Sequence, residues 1–223
     1  MKKSLLILLS LFLVGMTFTV KSQNMTQEEK NSYALGANVG ENFKNSGLEI
    51  TFDAFKEGFL DAFKGENKFS MEEMQACFED IQRQMTAKQN AGMEIEKEKG
   101  RQFLAENKKR DGVKETPSGL QYEVIVMGTG AKPAATDQVK VHYHGTTIDG
   151  QVFDSSVQRG EPIVFGLNQV IAGWTEGVQL MPIGSKFKFY IPSDLAYGDR
   201  SPSPAIKAGA TLIFEVELID IPK

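Results

Sequence analysis

The two histidines, His142 and His144, stand two apart and share a strand face, so both could touch one metal ion. No further histidine and no cysteine supports them, so no metal site is expected. No Gly-Lys-Ser/Thr phosphate loop and no Gly-x-Ser-x-Gly elbow occurs, which leaves a kinase or hydrolase reading without a basis. What remains is a set of aromatic residues around a single acid: Tyr143, Phe153, Trp174, Tyr197 and Phe214, with Asp154 directly after Phe153. Trp174 is the only tryptophan. Such a set could be plain core. No cofactor is implied.

The elements that must position these residues fall into two regions. Residues 25–110 follow a helical pattern. A first helix is expected from Thr26, with Glu29 completing a capping box and Tyr33, Ala34, Val39 and Phe43 facing inward. A second starts near Thr51, carries the stripe Phe52, Phe55, Phe59, Phe63 and ends at Gly65. A third starts at Ser70, with Glu73 as its box partner, and meets no proline before Lys114. Its part from Ala87 to Arg110 is rich in Lys, Glu and Gln and reads as an exposed connecting rod. Gly92 and Gly100 weaken it by up to about 1 kcal/mol each. So many phenylalanines are hard to bury in about 85 residues, and a symmetric homodimer through residues 25–90 would cover them. Cys77 lies in the apolar helical pattern; a buried inert thiol and an intermolecular bridge are both open.

All eight prolines lie after residue 116, where the periodicity becomes two. Leu120–Val124 alternates. Val139, Val141 and Tyr143 share a face, as do Phe187, Phe189 and Ile191, set against Lys186, Lys188 and Tyr190. Leu212, Phe214, Val216 and Leu218 form another face, and Asp149-Gly150 marks a hairpin. Gln169–Val178 is the short-helix candidate. The expected fold class is α+β, an antiparallel sheet with one short helix on a face, preceded by an all-helical domain. The division reads as 1–22 export signal, 23–110 helical domain with a long connecting helix, and 111–223 sheet domain.

Lys2 and Lys3 precede a nearly continuous apolar run from Leu5 to Val20, and Val20-Lys21-Ser22 fits a cleavage site before Gln23. This reads as a secretory signal, placing the protein outside the cytoplasm, in a periplasm for instance; an uncleaved membrane anchor is the alternative. The net charge of −4 gives no sign of a nucleic-acid binder, and removal of Lys2, Lys3 and Lys21 would deepen the acidity.

Four separated motifs resemble the FKBP family of peptidyl-prolyl cis-trans isomerases. Val141-His142-Tyr143-His144-Gly145 with Asp149–Ser156 is similar to its first signature, and Val170–Val178 to its central helix. Ala196-Tyr197-Gly198 and Ala210–Leu218 are similar to its flap and last strand. The first half, with Ser32–Gly36 and the long helix, resembles the amino-terminal domain of two-domain bacterial members such as the macrophage infectivity potentiator type. The resemblance implies an FKBP-like curved sheet around the short helix, and a pocket with Trp174 as floor and Tyr143, Phe153 and Phe214 as walls. Val170, Ile171 and Ile206 would line it. The Ile171 N–H and the Tyr197 hydroxyl would donate to substrate carbonyls. Asp154 would be a buried acceptor oriented by Tyr143, with Arg159 leaning over it. It further implies proline-containing unfolded polypeptides as partners, a role in folding exported proteins, and binding of macrolide inhibitors of the FKBP class. Three positions depart from the family pattern: Ile163, where an aromatic is usual; Gln169, where an acid is usual; and the loop Asp199–Lys207. A non-catalytic peptide-binding chaperone module on the same fold is the competing reading, and a helical scaffold with an incidental isomerase a third.

Overall fold

A computed structural model describes residues 25–222; the export signal read over 1–22 lies outside them. The chain divides into two compact units between Ala76 and Cys77.

In the first unit, α1 (Gln27–Ser46) starts at the expected capping box: Thr26 Oγ1 accepts from the Glu29 N–H and Glu29 accepts from the Thr26 N–H. α2 (Phe52–Lys64) ends at Gly65, whose φ of 77° suits only glycine well. Phe43 packs edge-on against Phe55 at 5.4 Å. No residue of α1 or α2 is buried within one chain. Tyr33, Ala34 and Val39, expected to face inward, are exposed, and so is the phenylalanine stripe, with Phe63 at 85%. The helices are too few and too short to form a second layer against which those faces could be covered.

α3 (Met71–Asn107) opens on the Ser70/Glu73 box and continues through the division between units. Cys77 is exposed, so of the two readings left open the buried inert thiol does not hold within one chain. The helix stops at Asn107, close to the expected end near Arg110, and its later part is not a free rod. Glu96, Gly100 and Asn107 are buried. Glu96 accepts from Lys207 at 2.9 Å and Lys99 at 3.2 Å. Asn107 Nδ2 donates to Gln121 Oε1 at 2.9 Å, and Gln121 Nε2 donates to the Leu104 carbonyl at 2.9 Å. Phe103 lies 5.9 Å from Tyr190. At Gly100 an added Cβ would stand 2.2 Å from Thr211 Oγ1, so the helix backbone rests directly on the sheet unit. Most of its Lys, Glu and Gln residues face water, while Glu96 and Asn107, polar groups on the buried side, are paired across this contact.

The second unit is an antiparallel sheet in the order β1-β2-β6-β7-β3-β4, with β5 also pairing β3. The strands are β1 (Lys114–Glu115), β2 (Gln121–Val126), β3 (Gln138–Thr147), β4 (Val152–Ser155), β5 (Ile163–Gly166), β6 (Lys186–Ile191) and β7 (Leu212–Asp220). β3 is long enough to pair with β5 along its first half and β4 along its second. Asp149-Gly150 forms the β3–β4 turn, Gly150 at φ 82°. The expected inward faces of β3, β6 and β7 are buried. They pack with Trp174 and Val178 of α5 (Ala172–Val178) into one core. Tyr190 departs from expectation. It points away from Phe187 and Phe189, yet is 2% exposed, because the end of α3 covers that face. Its hydroxyl donates to Glu123 at 2.8 Å and accepts from Arg110 at 3.0 Å. A one-turn helix not foreseen, α4 (Ser156–Arg159), follows β4, with the Ser155 hydroxyl accepting from the Gln158 N–H at 3.2 Å.

Candidate active site

Five elements converge on a cavity of about 1000 Å³. α5 is short because Pro182 and the turn after Val178 stop it, and it presents Trp174 to the cavity floor. Three rings stand around the indole: Phe214 of β7 at 5.3 Å and 82°, Tyr143 of β3 at 5.4 Å and 84°, and Phe165 of β5 at 5.8 Å and 84°. Phe153 of β4 meets Phe214 edge-on at 5.3 Å. Edge-to-face pairs of this kind add to burial and fix ring orientation. Tyr143, Trp174 and Phe214 are nearly buried, whereas Phe153 is half-buried. The indole Nε1 is buried and has no hydrogen-bond partner among the described residues.

Polar groups sit around this aromatic box. The Tyr143 hydroxyl and the Arg159 guanidinium both donate to Asp154, and Arg159 also donates to the Tyr143 oxygen at 3.0 Å. Arg159 lies over the Tyr143 ring at 5.8 Å. Asp154 is not the buried acceptor expected: its side chain is 42% exposed, as is that of Arg159. α4 places Arg159 one turn beyond Asp154, so the carboxylate is satisfied at the cavity rim instead of inside it. Burial pushes the Asp154 carboxyl up, but the hydrogen bonds from Arg159 and Tyr143 outweigh it and hold the group below the usual carboxylate range. Burial, then the bond to Asp154, pushes the Tyr143 phenol up.

Of the remaining expected residues, Val170, Ile171, Tyr197 and Ile206 reach the same cavity. Val170 and Ile171 line it where a 3-10 turn at Leu167–Gln169 leads into α5. Ile171 is the N-cap of α5, a position whose N–H has no partner within the helix. Tyr197 lines the opposite side at 37% exposure, and Ile206 closes the wall at 5%. Arg159 touches the rim pair without lining the cavity. Of the departures, Ile163 packs against the core, while Phe165, two residues on and on the same strand face, supplies the aromatic wall. Phe165 was missed by the sequence reading, although alternation from Ile163 points to it. Gln169 also lines the cavity. The loop Asp199–Lys207 lines it through Arg200–Ser203 and Ile206, and Ser201 closes the loop on itself by donating to the Ile206 carbonyl at 2.7 Å.

The family model described as FKBP-type peptidyl-prolyl cis-trans isomerase matches residues 129–219, the part that holds this box. The domain described as amino terminal to FKBP-type peptidyl-prolyl isomerase matches residues 28–124. An FKBP-type peptidyl-prolyl cis-trans isomerase FkpA of Aeromonas hydrophila is 47% identical over 91% of this chain and 80% of its own. The chain belongs to the FKBP-type peptidyl-prolyl cis-trans isomerases. The outer membrane protein MIP of Legionella longbeachae is 44% identical over 94% of this chain and 92% of its own. The crystal structure of FkpA from Escherichia coli superimposes with a TM-score of 0.70 at 37% identity, covering 88% of this chain and 97% of that one. This FKBP-type protein is therefore an isomerase acting on proline-containing peptide, and its fold is the family's antiparallel sheet behind an amino-terminal helical region. No helix among the described residues is long and apolar enough to cross a membrane.

Proposed function

We propose that the aromatic box is the prolyl site, with Trp174 as floor and Tyr143, Phe153 and Phe214 as walls, joined by Phe165. The convergence of three rings on one indole supports this reading most directly. A prolyl amide rotates slowly because resonance gives a barrier of about 18–20 kcal/mol. At the twisted transition state that resonance is lost and the carbonyl is less polar. An apolar box therefore disfavours the planar amide more than the twisted one, which lowers the barrier without nucleophile or base. The Ile171 N–H and the Tyr197 hydroxyl hold flanking carbonyls while the bond turns. Asp154, kept ionised by Arg159 and Tyr143, is an acceptor at the rim, and Val170 and Ile206 complete the apolar lining.

The protein acts outside the cytoplasm on unfolded or partly folded exported polypeptides, from a periplasm if the signal over 1–22 is cleaved or from a membrane surface if it is not. Residues 25–90 form a homodimer, the second copy covering the phenylalanine stripe. The 23–110 region thus serves assembly and 111–223 catalysis. Two sites on one dimer raise the effective concentration of a client at the second site. Macrolide inhibitors of the FKBP class occupy the box.

A protease-coupled isomerisation assay on the chain from Gln23, with macrolide titrated against Trp174 fluorescence, tests the site. Saturable loss of activity in step with the spectral change is expected, and activity without any spectral response at saturating macrolide overturns the assignment. Sedimentation at micromolar concentration tests assembly, where a monomer overturns it.

A further inference from the structure

The cavity loop Asp199–Lys207 has both its ends on α3. At its start, Asp199 pairs with Lys97 at 2.6 Å. At its end, Lys207 pairs with Glu96 at 2.9 Å, and Glu96, only 9% exposed, is also held by Lys99. Four residues beyond, Thr211 meets the Gly100 backbone too closely to admit a Cβ. Between these fixed ends stand Arg200, Ser201, Pro202, Ser203 and Ile206, which make one wall of the cavity. Inside the loop the bonds are few: Ser201 to the Ile206 and Ser203 carbonyls, and the Ser203–Ile206 bridge. The loop's internal bonds give it a shape, and α3 fixes where that shape stands.

We propose that Glu96 and Lys97 of α3 are positioning residues of the isomerase, setting the loop wall of the box through Lys207 and Asp199. The inference rests on the site reading above and adds a second role to the helix. Neither residue touches substrate. With the straps intact the wall is already in place when peptide arrives. With one released, the binding-competent loop is a fraction of an ensemble, and apparent affinity falls by that fraction. The rings around Trp174 are unaffected, so the bound peptide turns over at the same rate.

Lys97–Asp199 is the pair to test, since Asp199 is 65% exposed and Lys97 half-buried, whereas Glu96 is buried. In the full chain, Lys97→Glu and Asp199→Lys should each raise KM for a proline tetrapeptide about threefold to fivefold, the upper range of a surface ion pair. Turnover should stay unchanged. The double variant should bring KM back toward wild type. Amide exchange over residues 198–209 should quicken in each single variant and slow again in the double. A purely structural contact would lower the melting temperature without moving KM. Wild-type exchange in both single variants overturns the strap, and faster exchange with unchanged KM overturns its link to the box. A double variant no better than the singles overturns the pairing. Unchanged kcat/KM in Phe153→Ala would instead overturn the site reading, and the exchange result would still decide whether α3 holds the loop.

Discussion

Gly145 sits in β3 opposite the aromatic box, and adding one methyl there is a sharp perturbation. A Cβ at this position would stand 2.7 Å from two ring carbons of Phe153 and 2.9 Å from Phe214. Carbon atoms pack at about 3.5 Å or more, so Phe153 must retreat by about 0.8 Å. Phe214, 5% exposed and locked against Trp174, has nowhere to go, whereas Phe153 is half-buried and can swing outward. Overpacking of this kind costs about 1–3 kcal/mol. In a unit of this size each kcal/mol lowers the melting temperature by about 2–4 °C. Catalysis should suffer more than stability, because a misplacement near 1 Å can cost about a hundredfold. Gly145→Ala should therefore lower kcat/KM at least about tenfold, equal to about 1.4 kcal/mol in the barrier. Combining it with Phe153→Leu should restore stability but not activity, the signature of coupled neighbours. The assays are protease-coupled isomerisation and thermal melting. Wild-type kcat/KM and melting temperature in Gly145→Ala would refute the packing of Phe153 and Phe214 described here.

Phe153→Ala and Asp154→Ala should each reduce kcat/KM about tenfold or more with an unchanged far-UV spectrum, whereas wild-type rates in both would remove these residues from the site. Asp154 has a folded pKa below its unfolded value of about 4, so its pairing is fully present above that value and lost only as pH falls through the lower folded one. A pH profile of kcat/KM should accordingly show no Asp154 titration between about pH 5 and 8, and a step there that vanishes in Asp154→Asn would contradict the ion pair. Residues 77–223 should keep wild-type activity and stability on a tetrapeptide. A fragment from 111 onward should melt at lower temperature, since it uncovers Tyr190 and Gln121; equal melting curves would show that α3 contributes nothing to the sheet unit.

Where alternation is regular the sequence was readable: Val139–Tyr143, Phe187–Ile191 and Leu212–Leu218 each bury the alternating face expected of them. The capping boxes at Thr26 and Ser70 were equally plain, because each is complete within four residues. Hydrophobic patterning failed on α3. Its contact face is Met93, Glu96, Gly100, Phe103 and Asn107, spaced alternately three and four apart as a helical stripe should be. Three of the five are not hydrophobic anchors: one is charged and one an amide, each paired on the sheet side, and one is a glycine chosen for closeness. Tyr190 was misjudged for the same reason, since a polar strand face becomes interior once a helix lies on it. Most of the expected site residues lie within a motif; Arg159 and Ile206 do not. Phe165 lay between motifs, and Asp154's partial exposure depends on α4, a single turn too short to leave a periodic trace.

The order β1-β2-β6-β7-β3-β4 puts the last strand of the chain in the middle of the sheet. β7 is hydrogen-bonded to β6 on one side and β3 on the other, and carries Phe214 into the box. A ribosome that has delivered everything up to Gly209 has thus made two half-sheets, each with an open edge, and a binding site with one wall absent. Neither half can close on the other before Leu212–Asp220 emerges, so local helices precede the whole catalytic unit in time. Until then the nascent protein is itself an unpaired-edge polypeptide of the kind that associates wrongly. Loss of β7 removes the centre of the structure, not its margin.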